Sequence, residues 1–321
     1  MDEVMKTGKA LNKSFIYIAS FFIPLFILVI AYMINGIYPG SEKNIFISDL
    51  GGQYIGFFSY LRNMGVGFNN VMYQTFGALG GGYFGTWAYY TSDPLDLIVL
   101  LFDPLRLADA IYCLTLIKIS LCGVTFALFL KHGHIKSDNS LVVIISSVSY
   151  ALMSYNIIYS MNLMWISGAI MLPLVILGID NVLDLKRKEL FILSLTGSVI
   201  VNYYTAYMIV LFSVIYFFYR AIAEAFDLKR FVKHCMELLS CGVLSALMSA
   251  WLWLPALIDL TKGKLSDDIN VDYGVIRNPL LLLRQFLPLS FAGISSKAVP
   301  PLYCGLLITV FAVMYFFSFY L

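Results

Sequence analysis

Charge is scarce in this chain: only 12% of its 321 residues are Asp, Glu, Lys or Arg, whereas about a quarter of a soluble globular domain is charged. The net charge of +2 is too small to imply a polyanionic partner, and the basic residues come in short scattered groups. Cysteine is equally thin. Cys113, Cys122, Cys235, Cys241 and Cys304 fall mostly inside apolar runs without metal-ligand spacing, so they read as small buried hydrophobes rather than a disulfide framework or a metal site. No Pro-rich or Ser-rich linker and no repeat of fixed period is visible. What abounds is hydrophobicity: 60% of the residues, with a mean hydropathy of +0.83. A soluble enzyme, a secreted disulfide module and a nucleic-acid binder are therefore excluded. The chain reads as an all-α polytopic membrane protein, one transmembrane domain over 1–321.

A helix needs about 20 mostly apolar residues to cross the hydrocarbon. Such runs occur at 15–35, 107–130, 141–160, 163–179, 190–202, 205–219, 238–258 and 303–321, the fifth being short for a bilayer. Basic residues mark alternate connectors: Lys6, Lys9 and Lys13; Lys131 and Lys136; Lys186, Arg187 and Lys188; Arg220, Lys229, Arg230 and Lys233. The positive-inside rule makes these cytoplasmic, together with the amino terminus and with His132, His134 and His234. The loops 37–106 and 259–301 then lie outside. The first run is too long for a signal h-region and lacks a small-residue cleavage site, so it reads as an uncleaved anchor. The last run stops without a polar flank, which marks the chain as the N-terminal part of a longer protein.

The first outer loop is too long to be a simple connector. Leu50, Tyr54, Phe57, Phe58 and Leu61 recur at helical spacing opposite Gly56, Ser59 and Asn63, predicting an amphipathic helix at the interface. Asp49, just before it, has two readings: an N-cap worth about 1 kcal/mol, or a general base at the membrane surface. Gly80, Gly82 and Gly85 satisfy G-x-G-x-x-G but lack a βαβ context, so they read as close-packing or bending points, with backbone approach to a phosphate as the rival. Asp93, Asp96, Asp103 and Asp109 are further outward acids, and the Asp-Pro pairs at 93–94 and 103–104 read as turn or helix-start chemistry.

Polar residues at membrane depth need partners. Lys118, near the middle of the second run, costs ~2.5 to 3.5 kcal/mol there, and it pairs either with an acid or with an anionic substrate group. Asn202-Tyr203-Tyr204-Thr205 interrupts the fifth and sixth runs, as either a tight turn with interfacial tyrosines or a polar recess. Tyr155, Asn156, Tyr159 and Asn162 allow the same two readings. The five cations of the second outer loop read either as a solvated surface or as a phosphate site, for which Arg284 beside Gln285 is the best placed.

Several of these segments occur together in one known family. Ser48-Asp49-Leu50, Gln53-Tyr54, Phe57 to Arg62, the Gly77 to Gly85 run, Tyr89-Tyr90 ahead of Pro-Leu-Asp-Leu, Lys118, Asn202-Tyr203-Tyr204 and Leu254-Pro255 together resemble the YfhO family of bacterial membrane proteins. Members resemble GT-C glycosyltransferases, helical bundles with a long first exoplasmic loop carrying interfacial helices. The resemblance implies transfer of a sugar from a polyprenyl-phosphate donor to an envelope polymer such as lipoteichoic acid, at the outer face of the bacterial plasma membrane. It makes Asp49 the catalytic base, with Gln53, Tyr54, Arg62, Asp93, Lys118, Asn202, Tyr203, Tyr204 and Arg284 as substrate-binding candidates. No cofactor follows from the residues. Some enzymes of the class use a divalent metal, but no Asp-x-Asp pair stands in the first loop. The rival reading is a lipid-linked-sugar flippase.

Overall fold

The computed structural model describes residues 13–64, 70–75, 80–133 and 137–262, with Arg284, Gln285, Val310 and Met314. It is an all-α polytopic membrane protein. Among the described residues, six stretches are long and apolar enough to cross a bilayer: Ser14–Ile34, Pro104–His132, Ser140–Met161, Leu163–Leu185, Tyr203–Ala223 and Leu228–Met248. The helices within them are α1 (Lys13–Ile34), α4 (Leu107–His132), α5 (Ser140–Ala151) with α6 (Ser154–Ile158), α7 (Leu163–Leu185), α9 (Tyr203–Ala223) and α10 (Leu228–Met248). Between them lie the shorter α2 (Ile55–Asn63), α3 (Phe84–Tyr90), α8 (Glu189–Val201) and α11 (Ala250–Lys262). Among the described residues the only strands are β1 (Tyr73–Gln74) and β2 (Gly81–Gly82), an antiparallel pair in which Tyr73 faces Gly82.

The apolar pattern decides which helices are central. In α7, 78% of the most apolar window is buried, against 28% in α1. Accordingly α7 packs against α4, α8 and α9, while α1 lies outside on α4 and α5. Phe15, Phe22, Phe26 and Ile30 of α1 are exposed, a surface that suits lipid rather than water. Contact between α1 and α4 is close because Gly123 has no side chain: a Cβ there would stand 2.3 Å from the Ser20 carbonyl oxygen. Prolines inside α1, α7 and α11 are tolerated in such a bundle because neighbours re-satisfy the freed backbone groups.

Two helix ends differ from the sequence reading. The apolar run 238–258 is divided at Ser249, where α10 stops and α11 begins. The Ser245 carbonyl there accepts from both the Ser249 amide at 3.1 Å and the Ser249 hydroxyl at 2.8 Å. Because α10 starts at Leu228, Lys229, Arg230 and Lys233 ride on its first turns rather than in a connector. The fifth run appears as α8, apolar but too short to be among the six crossing stretches. The run expected at 303–321 lies outside the described residues, Val310 and Met314 aside.

At one end of α7, Arg220 is fully buried and pairs with Asp180, with Asp184 at 2.7 Å and with Glu224. Tyr216 donates to Asp180 at 2.7 Å, and Arg230 pairs with Glu224 at 2.6 Å while lying 3.8 Å over the Phe226 ring. A charge read as a topology marker is thus a buried tie between α7, α9 and α10.

Candidate functional site

The opposite end of α7 meets the first loop, and here the sequence candidates gather. Ser48 adopts φ +48, a left-handed conformation that costs a non-glycine residue about 1–3 kcal/mol. It leads into one turn of π-helix, Leu50–Tyr54, continued by α2. Such turns are rare and often occur at functional sites. The expected amphipathic stripe is present and faces the bundle: Leu50, Tyr54, Phe58 and Leu61 are buried in a core that includes Leu28, Ile111 and Ile166. Tyr60, off that stripe, is buried as well, donating to the Tyr73 carbonyl at 2.7 Å.

Asp49 occupies the N-cap position of the π turn but makes no side-chain cap hydrogen bond. Its carboxylate is exposed and its Oδ2 stands 3.4 Å from the Tyr54 hydroxyl. That hydroxyl donates to Asn162 Oδ1 at 2.9 Å. Burial first, then the nearby Asp49 and the Tyr90 and Tyr89 rings, push the Tyr54 phenol well above its ordinary range, so it is a neutral dipole at any physiological pH.

From Tyr54 a continuous series of aromatic rings crosses the first-loop end of the bundle. Tyr54 lies 5.2 Å from Tyr90, Tyr90 4.6 Å from Tyr89, Tyr89 6.1 Å from Tyr204, Tyr204 6.4 Å from Trp165, and Trp165 5.5 Å from Tyr159. Most of these rings are half-buried and Tyr204 is 41% exposed, which leaves apolar faces and phenol edges accessible. Asn202 holds the array in place: its carbonyl oxygen caps α9 by accepting from the Thr205 amide at 2.8 Å, and its amide donates to the Tyr89 carbonyl at 2.8 Å. Tyr203 stacks edge-on against Tyr89 at 5.7 Å. The polar interruption between the fifth and sixth runs is therefore a capped helix start that ties α9 to α3.

Lys118 has acid partners. It is fully buried, 2.9 Å from Asp93 and 2.6 Å from Asp96, and reaches the Leu163 carbonyl at 3.4 Å. Asp93 also accepts from Ser167 of α7 and from the Leu95 amide at 2.9 Å, starting a 3-10 helix over Pro94–Leu101. Asp103 does the same for Pro104–Arg106, as the Asp-Pro pairs indicated. Burial alone would raise the Asp93 carboxyl, but Lys118, Ser167 and the Leu95 amide hold it below the ordinary carboxylate range. Burial pushes Asp96 up to about 7, aided by Asp93 and opposed by Lys118. One cation faces two acids in a dry site, so the second acid keeps its proton most easily. Two of the substrate-binding candidates, Asp93 and Lys118, are thus engaged with each other.

The remaining candidates separate. Arg62 donates to the Val99 and Phe102 carbonyls, which ties α2 to the 3-10 segment. Gln53 is exposed on the π turn, and Arg284 is exposed, its chain neighbours other than Gln285 lying outside the described residues. In the glycine run, Gly80 takes φ +88 within the β1–β2 hairpin, a strand pairing that the sequence reading lacked. The Gly85 amide donates to Asp259 Oδ2 at 3.1 Å, and a Cβ on Gly85 would meet that same oxygen at 3.0 Å. The run therefore lets α3 approach α11, as the close-packing reading held. A cavity of about 120 Å³ reaches the π turn through Ile47 and Leu50, lined also by Tyr32, Ile37, Asn44, Ile45, Ser160 and Met161. It is below the ~300 Å³ usual for small-molecule sites.

Asn162, Trp165 and Asp96 are the members that sequence reasoning underweighted. A mid-helix lysine needing a counter-charge was the signal for Asp96, which lies three residues from Asp93. Asn162 stood in the sequence as one of several polar residues between helices, and its pairing with a tyrosine 108 positions away has no local pattern.

A helical membrane bundle whose described first-loop segments are aromatic and packed on the central helix defines a polytopic integral-membrane protein with a candidate site at one end. The chain belongs to the YfhO family: the family model for the bacterial membrane protein YfhO matches residues 20–319. No curated protein and no solved structure matches it.

Proposed function

We propose that this protein is a GT-C type glycosyltransferase that moves a sugar from a polyprenyl-phosphate donor to an envelope polymer such as lipoteichoic acid. In this reading the amino terminus is cytoplasmic and the site exoplasmic, the orientation that the basic connectors favour. The observation that carries this reading is the placement of Asp49: exposed, free of capping duty, and at the start of an accessible aromatic array. A donor of this kind keeps its isoprenoid in the bilayer and its anomeric carbon at the surface, which suits a site combining apolar ring faces with phenol edges.

In the reaction, Asp49 takes the proton of an acceptor hydroxyl while that oxygen bonds to the anomeric carbon. The bond from that carbon to the phosphate oxygen breaks, and the phosphate leaves with the electron pair. A cation stabilises the developing charge. Lys118 is held by Asp93 and Asp96, so Arg284 takes that role in our reading, with Tyr203 and Tyr204 contacting donor or acceptor. Arg62 and Asp93 act on the site only through the segments they tie together.

The test is transfer of radiolabelled sugar from polyprenyl phosphate to envelope polymer in membranes carrying the wild type or Asp49→Asn. Asparagine matches aspartate in size and cannot accept the proton. Loss of transfer by at least 100-fold, in a variant that keeps its detergent-extracted melting behaviour, is expected. Undiminished transfer by Asp49→Asn would remove the base assignment. No transfer by either, with labelled lipid still crossing the bilayer, would move the reading to a flippase.

A further inference from the structure

Helix starts in this chain reveal which polar side chains have a second task. Asp93, Asp103, Asn139, Asn202 and Asp227 all stand at N-cap positions, and each accepts a hydrogen bond from a backbone amide of its helix. Asp49 and Asn162 stand at N-cap positions too, before the π turn and before α7, and neither caps. Both instead direct a side-chain oxygen at the same atom, the Tyr54 hydroxyl, at 3.4 and 2.9 Å.

A phenol carries one proton, and here two acceptors compete for it. The Asn162 oxygen at 2.9 Å is the nearer acceptor and the Asp49 oxygen at 3.4 Å is a rotation about the phenol C–O bond away, so the proton divides between the two. Tyr54 is buried and its ring is fixed between Phe57 at 6.4 Å and Tyr90 at 5.2 Å, so the hydroxyl hydrogen is the part free to move. We propose that Tyr54 is the positioning residue of Asp49: its hydroxyl turns from Asn162 to the Asp49 carboxylate, fixing Oδ2 and presenting Oδ1 to the acceptor hydroxyl. The proposal deepens the reading of Asp49 as the base and rests on it. Tyr54 transfers no proton; the rotation reorients a hydrogen bond and leaves every covalent bond intact. Among the described residues, the titratable groups facing Asp49 are Tyr54 and, from the end of α3, Tyr90.

The test reads the hydrogen bond itself. Purified protein in detergent gives an infrared carboxylate spectrum, and subtracting that of Asp49→Asn isolates the Asp49 bands. A donor on one oxygen makes the two C–O bonds unequal and widens the splitting between the antisymmetric and symmetric stretches. Tyr54→Phe keeps the ring and removes the donor, so the Asp49 splitting narrows. Asn162→Ala removes the competing acceptor, so the Asp49 splitting widens. Opposite movements in the two variants support the proposal; loosening of the site would move both the same way and overturn it, as would no movement in either. If Tyr54→Phe fails to fold, the widening in Asn162→Ala decides alone. Full transfer by Asp49→Asn, with the band movements intact, would sink the base reading while leaving the hydrogen-bond switch standing.

Discussion

Replacing Asp96 by asparagine removes one charge from the Lys118 site, and the outcome depends on pH with a sign the geometry fixes. In the folded protein the Asp96 carboxyl keeps its proton up to about 7, against 3.8 for a free carboxyl. Between those values the native state binds a proton that the unfolded chain has released. That contribution is complete below the unfolded value and is lost as pH rises through the folded one. About two pH units of it lie between 5 and 7, so the wild type loses about 3 kcal/mol between pH 5 and pH 8. Asp93 is held low, so its linkage falls in the acid range below 3.8 and leaves this window undisturbed. The asparagine variant, with one cation facing one carboxylate, has no such slope. Denaturation by SDS titration of the detergent-solubilised protein at pH 5 and pH 8 measures the difference. Asp96→Asn should match the wild type near pH 5 and exceed it at pH 8. A wild-type profile that is flat across the window, or an asparagine variant that retains the slope, would refute the reasoning.

Two further changes test the bundle. Gly123→Ala places a methyl 2.3 Å from the Ser20 carbonyl oxygen, so α1 must move off α4; a loss of about 1–3 kcal/mol is expected although alanine favours helix, and an unchanged melting temperature in detergent would contradict it. Arg220→Met leaves the buried Asp180 carboxylate without its guanidinium partner and should cost about 3–5 kcal/mol. Arg220→Lys should fall between the two, because a lysine keeps the charge but not the fork that reaches Asp180, Asp184 and Glu224 together; denaturation at one pH ranks all three.

Much of the bundle was legible in the sequence because apolar length is a local property, and α1, α4 and α7 start or end within a few residues of the runs that announced them. The division at Ser249 was not, since the run from Leu238 to Ile258 is apolar almost throughout and Ser249 is one of several serines in it. The Asp-Pro helix starts were legible for the same local reason. Lys118 declared its need for a counter-charge, but the sequence could not say which acid turned inward, because Asp93 and Asp96 reach it across a loop and a helix. Asp49 was visible as either cap or base, and only three-dimensional placement shows that it does not cap. Arg220 misled most: next to a basic connector it looked like a solvated flank, and its partners Asp180 and Asp184 sit 40 and 36 positions earlier.

The two buried ionic ties have a mechanical consequence for α7. Ser167 and Asp180, where they grip it, are 13 residues apart, about 20 Å of helix. A rod held at one end by hydrogen bonds of Ser167 and the Leu163 carbonyl to the Lys118 cluster, and at the other by Asp180 on Arg220, cannot slide by a turn past α4 or α9 without breaking polar contacts in an apolar medium at both ends. Alternating access through such a slip would have to break both clamps, so α7 is the keel of this protein, and whatever moves during its work moves around it.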